Sequence, residues 1–255
     1  MLLALDFDGV ICDSINECAY VSFLAYNGLT NVTKINLDLV PGAHLSKFRD
    51  YRYLVGPGQD YYYLWRSIYE YETNNSDTIE HYFRRIVDTD DQEAETFASN
   101  FYRIRRQIRK HDQDTWIDLN RLYEQLRESL TIASSSKKYI VVTAKDNDSV
   151  YEILTENHID IQRKDIYGRE LGKNKNEIFQ ELSEERKVNL SNIYFVDDNF
   201  ENVMNAHNIG ISARLASWGY NSRLDKVRAR EKGIKLMEIT ELTELLHDVA
   251  GMNDG

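Results

Sequence analysis

Three stretches of the chain are short, almost wholly apolar, and cut off by polar residues. Leu2-Leu3-Ala4-Leu5 runs into Asp6-Phe7-Asp8-Gly9. Lys138-Tyr139-Ile140-Val141-Val142 runs into Thr143-Ala144-Lys145-Asp146, and Ile193-Tyr194-Phe195-Val196 into Asp197-Asp198-Asn199. Runs this short and without alternation predict strands buried on both faces. A weaker strand is expected over 210–215, and helical spacing over about 148–157, 175–188 and 200–207 separates the strands. Strand alternating with helix predicts an α/β fold with a doubly wound parallel sheet. In such sheets ligands collect at the carboxyl ends of the strands, where all three polar clusters fall.

Residues 15–135 follow a different pattern. Phe97, Phe101, Ile104 and Ile108 lie on one face of a helix. Leu119, Leu122, Tyr123 and Leu126 continue the same spacing, so a helix is expected across 114–128. Pro41-Gly42 and Gly56-Pro57-Gly58 mark turns, and Ser134-Ser135-Ser136 marks a closing loop. The expected organisation is a core from 1–14 and 136–255, with 15–135 as a helical insert after the first strand. Hinges are expected near 12–16 and 130–136, and a frayed tail at 251–255. Most of the basic residues Arg103, Arg105, Arg106, Arg109, Lys110 and His111 are expected on the solvated face of their helix, the alternative being that one or two reach an anionic substrate. The aromatics of 51–71 are expected to build the core or rim of the insert.

Charge narrows the functions. The 255 residues carry 31 Lys and Arg against 42 Asp and Glu, net −11, which weighs against nucleic acid as a partner. No apolar run approaches the ~20 residues of a membrane span, so no membrane partner is expected. The opening residues lack the basic region of a signal peptide. Two cysteines, Cys12 and Cys18, make no disulfide framework, so a reducing, cytoplasmic setting is expected. Oligomeric state is not legible.

Asp-x-Asp spacing alone is cheap, since it recurs at Asp88-Thr89-Asp90 and Asp146-Asn147-Asp148. Asp6 and Asp8 differ in context, ending a buried strand before a glycine that permits a tight turn. Asp197-Asp198 likewise ends an apolar strand, whereas Asp90-Asp91 reads as a solvated helix cap. Were these strands neighbours, four carboxylates would crowd one edge and require a cation. An all-oxygen ligand set fits Mg²⁺ rather than Zn²⁺. Thr143 could hold an anion or merely cap the next helix. Lys175, at a helix start where it opposes the helix dipole, is more easily explained if it faces an anion. Lys173 competes with it.

The order Asp6-x-Asp8-Gly9, Thr143, Lys175, Asp197-Asp198 resembles the haloacid dehalogenase-like hydrolase superfamily. The insert and Trp218-Gly219-Tyr220 resemble its phosphoglycolate phosphatase-like branch. The resemblance implies a Rossmann-like core with an inserted α-helical cap. It also implies a Mg²⁺-dependent phosphatase acting on a small phosphorylated metabolite through an aspartyl-phosphate. Asp6 would be the nucleophile and Asp8 the general acid and base. Thr143, the Ala144 N–H and Lys175 would hold the phosphoryl group. Asp6, the Asp8 carbonyl, Asp198 and Asp197 would form the metal site, Asp197 directly or through water. Asn199 and Asn202 stand where some members carry a further acid. The presence of Asp8 argues against dehalogenation. A phosphotransferase such as a sugar-phosphate mutase, or a non-catalytic phospho-ligand binder, would use the same residues.

Overall fold

The protein is described by a computed structural model that covers residues 1–74, 78–87, 89, 92–134 and 139–251. Lys138, Ser135-Ser136, Asp88, Asp90-Asp91 and 252–255, which figured in the expectations above, lie outside the described residues.

The chain opens with β1 (Leu2–Leu5), turns tightly, and enters a short β2 (Cys12–Asp13). Six α-helices follow among the described residues: α1 (Ile15–Tyr26), α2 (Gly42–Tyr51), α3 (Asp60–Asn74), α4 (Ile79–Ile86), α5 (Gln92–His111) and α6 (Gln113–Asp118). The chain then returns through β3 (Arg121–Leu122), which pairs antiparallel with β2, Cys12 opposite Leu122. Beyond it come α7 (Glu124–Ser134), β4 (Tyr139–Val142), α8 (Asn147–Glu156), β5 (Ile166–Tyr167), α9 (Lys175–Glu185) and β6 (Ile193–Asp197). The last elements are α10 (Phe200–Asn208), β7 (Ser212–Ala216), α11 (Arg223–Glu231), β8 (Lys235–Met237) and α12 (Ile239–Gly251).

Six strands form one parallel sheet in the order β5-β4-β1-β6-β7-β8. The chain builds outward from β1 through β4 to β5, then restarts at β6 on the other side of β1. The direction of winding therefore reverses between β1 and β6, which is where an open α/β sheet parts to make a ligand crevice. The apolar composition of the strands follows from burial on both faces. Leu2, Ala4, Ile140, Val142, Ile193 and Phe195 pack with Ile178 and Phe179 of α9 and Phe200 and Val203 of α10. Their alternates Leu3, Leu5, Val141 and Val196 are equally buried. The architecture is an α/β Rossmann-like core carrying an inserted helical unit.

Two compact units result: Met1–Asp13 with Arg121–Gly255, and Ser14–Asn120. The insert ends about fifteen residues earlier than 15–135 implied. The reason is local. The apolar spacing from Leu119 to Leu126 is not one helix: α6 stops at Asp118, and Arg121–Leu122 pairs with Cys12–Asp13. α7 then packs on α12 within the first unit, where Ser129 Oγ meets His247 Nε2 at 3.0 Å. Residues 130–134 are thus helix within the sheet unit and not a hinge.

The helical unit has its own core. Phe48 and Trp65 stack at 5.1 Å and Phe48 and Tyr61 at 5.6 Å, all three buried. Arg105 departs from the expected solvated face. It is 4% exposed and forks onto Glu17 of α1, with Nε and Nη2 each 2.7 Å from a carboxylate oxygen. Trp116 Nε1 adds a donor to Glu17 at 3.3 Å. No helix among the described residues is long and apolar enough to cross a membrane.

Candidate active site

The parallel pairing of β1 with β6 sets Leu5 beside Val196, and the Asp6 N–H continues it by donating to the Val196 carbonyl at 2.9 Å. This register brings the residues at and just beyond the ends of the two strands together at the point where the winding reverses. Asp6, Asp197 and Asp198 converge there. All three are buried, and one carboxylate oxygen from each lies within 4.8 Å of the others. Lys175, the first residue of α9, reaches into the same group. Its Nζ lies 2.6 Å from Asp197 Oδ2 and 3.1 Å from Asp6 Oδ1. The helix is started by Asn174, whose side chain accepts from the Glu177 N–H while Glu177 returns the bond, a capping box that fixes where Lys175 projects. Lys173 instead pairs with Glu181 at the surface, at 2.6 Å.

The electrostatics follow from burial. Loss of hydration pushes the Asp6 carboxyl up from its ordinary 3.8 to about 6; Lys175 opposes the rise, and Asp197 and Asp8 add to it. Burial works against the Lys175 ammonium, but Asp197 and Asp6 outweigh it and hold the amine above its usual range.

Asp197 has its oxygens occupied by Lys175, by the Asn202 amide at 3.0 Å and by the Asn199 N–H at 2.7 Å. Asn199 and Asn202 therefore both serve Asp197, and Asn199 also caps α10. Asp198 is held differently. The Tyr220 N–H donates to its Oδ2 at 2.5 Å, and two glycines crowd it. A Cβ on Gly9, whose φ is +84°, would lie 2.0 Å from Asp198 Oδ2; one on Gly219 would lie 2.2 Å from Asp198 Cβ. The same loop fastens onto the β1–β2 turn, through Trp218 Nε1 to the Val10 carbonyl at 3.2 Å and the Tyr220 hydroxyl to Asp13 at 2.8 Å.

The fourth expected carboxylate is not part of this cluster. Asp8 Oδ1 is instead 3.0 Å from Nζ of Lys145, a side chain shut away from solvent. Lys145 follows β4 by three residues, and its own N–H donates to Thr143 Oγ1 at 3.2 Å. Thr143 is buried and does not cap the next helix. Asp146 does, its side chain accepting from the Ser149 N–H at 3.0 Å. Ala144, between Thr143 and Lys145, is exposed.

Lys145 and Tyr123 had no expected role at the site. Tyr123 stands near the acids: burial first, then Asp13 and Asp198, hold its phenol above the ordinary range. The only sequence signal for Lys145 was its place at a strand end beside Thr143.

The donors in this crevice suit a hard cation. Three carboxylates converge with no nitrogen or sulfur ligand among them, and Asp6 Oδ1 is buried without a well-aligned hydrogen bond among the described residues. A divalent metal with oxygen preference fits such a set. Buried acids, two lysines and a strand-end threonine thus gather where the winding of an α/β Rossmann-like sheet reverses. The chain belongs to the haloacid dehalogenase-like hydrolase family, whose model matches residues 63–216. That span holds Thr143, Lys175, Asp197 and Asp198, while Asp6 and Asp8 precede it.

Solved structures agree on the fold. A predicted phosphoglycolate phosphatase from Haemophilus somnus 129PT superposes with TM-score 0.60 at 19% identity, over 96% of each chain. A hydrolase from Pseudomonas syringae gives 0.61 at 13%, over 98% of this chain and 100% of that one. A HAD family hydrolase from Deinococcus radiodurans R1, with bound phosphate and sodium, gives 0.54 at 10%, over 100% and 98%. At these identities the likeness is one of fold. No curated protein matches the sequence significantly.

Proposed function

We propose that this protein is a Mg²⁺-dependent phosphatase that hydrolyses a small phosphorylated metabolite through an aspartyl-phosphate on Asp6. The observation that carries the reading is the contact of Lys175 with both Asp6 and Asp197 inside a buried acidic cluster at the reversal point of the sheet. Family membership and fold support it.

An Asp6 oxygen attacks phosphorus and the P–O ester bond breaks. Its electron pair stays on the leaving oxygen, which takes a proton from Asp8. A water oxygen then attacks the same phosphorus and gives a proton to Asp8. The P–O bond to Asp6 breaks, which restores the carboxylate and frees inorganic phosphate. Thr143 Oγ, the Ala144 N–H and Lys175 would hold the phosphoryl oxygens, whose negative charge spreads in transfer. Asp6, Asp198 and the Asp8 carbonyl would hold the cation, with Asp197, whose oxygens already serve Lys175 and two asparagines, acting as anchor or through water. When bound, Mg²⁺ supplies positive charge that lets an anionic ester approach anionic Asp6.

The test is phosphate release, with and without Mg²⁺, from a panel of 2-phosphoglycolate, glycerol 3-phosphate, hexose phosphates and p-nitrophenyl phosphate, for wild type and Asp6→Asn. Release that needs Mg²⁺ and vanishes in the folded variant is the expected result. Release that persists in Asp6→Asn refutes the reading.

A further inference from the structure

Lys145 is the second lysine of the crevice and has no part in the mechanism above. It is 2% exposed, and a lysine is almost never so buried without a charge partner. Its Nζ is 3.0 Å from Asp8 Oδ1 and 5.8 Å from the centre of the Phe7 ring. Asp8 sits on the turn of 7–12, where the Gly9 N–H donates to the Cys12 carbonyl at 2.8 Å and the Ile11 and Cys12 N–H groups donate to Phe7 at 2.9 Å. That bonding fixes the backbone of the turn and leaves the Asp8 side-chain torsions to be set by what the carboxyl touches. Lys145 is tied to the other wall of the crevice, because its N–H bonds Thr143 Oγ1 at the end of β4.

We propose that Lys145 is a positioning residue for proton transfer by Asp8: by anchoring Oδ1 from the β4 side, it holds the Asp8 carboxyl at the angle from which it protonates the leaving oxygen. The proposal rests on the phosphatase reading above. The step concerned is the one in which the P–O ester bond breaks, its electron pair passes to the leaving oxygen, and that oxygen takes the Asp8 proton. Two lysines, Lys145 buried and Lys175 half-buried, then divide the work. Lys175 serves Asp6 and the transferring group, and Lys145 serves the group that leaves.

Leaving groups differ in how much they need that proton. An alkoxide is a strong base and departs badly without it; p-nitrophenolate is a weak base and departs well alone. A merely structural lysine would lower turnover of both esters alike. A lysine acting through Asp8 would lower the alkyl ester far more. General acid catalysis contributes about 10²–10⁴-fold, so kcat/KM of Lys145→Met on the best alkyl phosphate of the panel is expected to fall about 10²-fold. The fall on p-nitrophenyl phosphate is expected to be at least about tenfold smaller, as is the pattern for a residue acting on one step. Asp8→Asn should show the same split, and adding Lys145→Met to Asp8→Asn should cost no more than about twofold on the alkyl ester, as for two residues in one unit.

The assay uses kcat/KM because it reports the phosphorylation half of the cycle, in which the ester breaks. Equal losses on both esters, or a further large loss in the double variant, overturn the proposal. Should Lys145→Met fail to fold, Lys145→Ala is assayed with and without added methylammonium. Recovery confined to the alkyl ester is expected; recovery of both esters or of neither overturns it. The two readings fail differently. Phosphate release by Asp6→Asn sinks the phosphatase itself, whereas an active wild type, an inactive Asp6→Asn and an unsplit Lys145→Met sink only the role of Lys145.

Discussion

Replacing Asp6 by Asn should change how stability responds to pH in the metal-free protein. The Asp6 carboxyl rises from 3.8 to about 6 on folding, because burial outweighs the attraction of Lys175. A raised acid holds its proton more tightly in the folded state than in the unfolded chain. Below 3.8 both states are protonated and nothing is lost; above about 6 both are ionised and the fold bears the whole penalty of a buried anion. The gap corresponds to about 3 kcal/mol, at 1.36 kcal/mol for each pH unit between the two values. Wild type should therefore lose about 3 kcal/mol relative to Asp6→Asn as pH climbs from about 4 to about 8. The comparison removes titrating groups outside the cluster, which change alike in both proteins. Urea unfolding in EDTA across that range reads the difference directly. Added millimolar Mg²⁺ should reverse the sign above pH 6, since a cation in the cluster favours ionised Asp6 and stabilises only the wild type fully. A wild-type-minus-variant difference that stays flat with pH refutes the reasoning. One that grows in favour of wild type as pH rises would show that Lys175, not burial, governs Asp6.

Two further outcomes follow from packing. Gly219→Ala should weaken Mg²⁺ binding at least about tenfold by calorimetric titration with the circular dichroism unchanged, because the new Cβ would sit 2.2 Å from Asp198 Cβ and 2.5 Å from the Gly9 carbonyl oxygen. Unaltered affinity would mean that the loop yields without moving Asp198. Glu17→Gln should cost about 3–5 kcal/mol in urea unfolding, as for a buried ion pair losing one partner, and Glu17→Leu with Arg105→Met should recover most of it. A loss under about 1 kcal/mol would show that Arg105 finds other compensation.

How much of this was legible in the sequence depended on the range of the interaction. β1, β4 and β6 are buried on both faces, so each was written as an unbroken apolar run that stops where the sheet stops. The helix start at Lys175 was legible because a helix start is a local event with a local cap. β5 and β8 were not, being two and three residues long at the sheet's edges and only partly buried. The spacing of Leu119, Leu122, Tyr123 and Leu126 suited a helix, yet Leu122 is buried by pairing with Cys12, a partner far back in the chain that no local period records. Arg105 failed for the same reason: its place on the helix said solvent, and Glu17, distant in sequence, said otherwise. Lys145 likewise takes its meaning from Asp8, on the far side of the insert.

The short ladder of β2 with β3 has a consequence for inheritance. Cys12–Asp13 and Arg121–Leu122 leave and re-enter the sheet unit side by side, so the core offers the insert the same pair of adjoining ends that a tight turn would join. Closing a loop there becomes costlier only with the logarithm of its length, by about 0.6 kcal/mol for each doubling. On these adjoining ends a change in the length of the helical unit costs the sheet unit little and leaves Asp6, Asp8 and the turn that carries them in register.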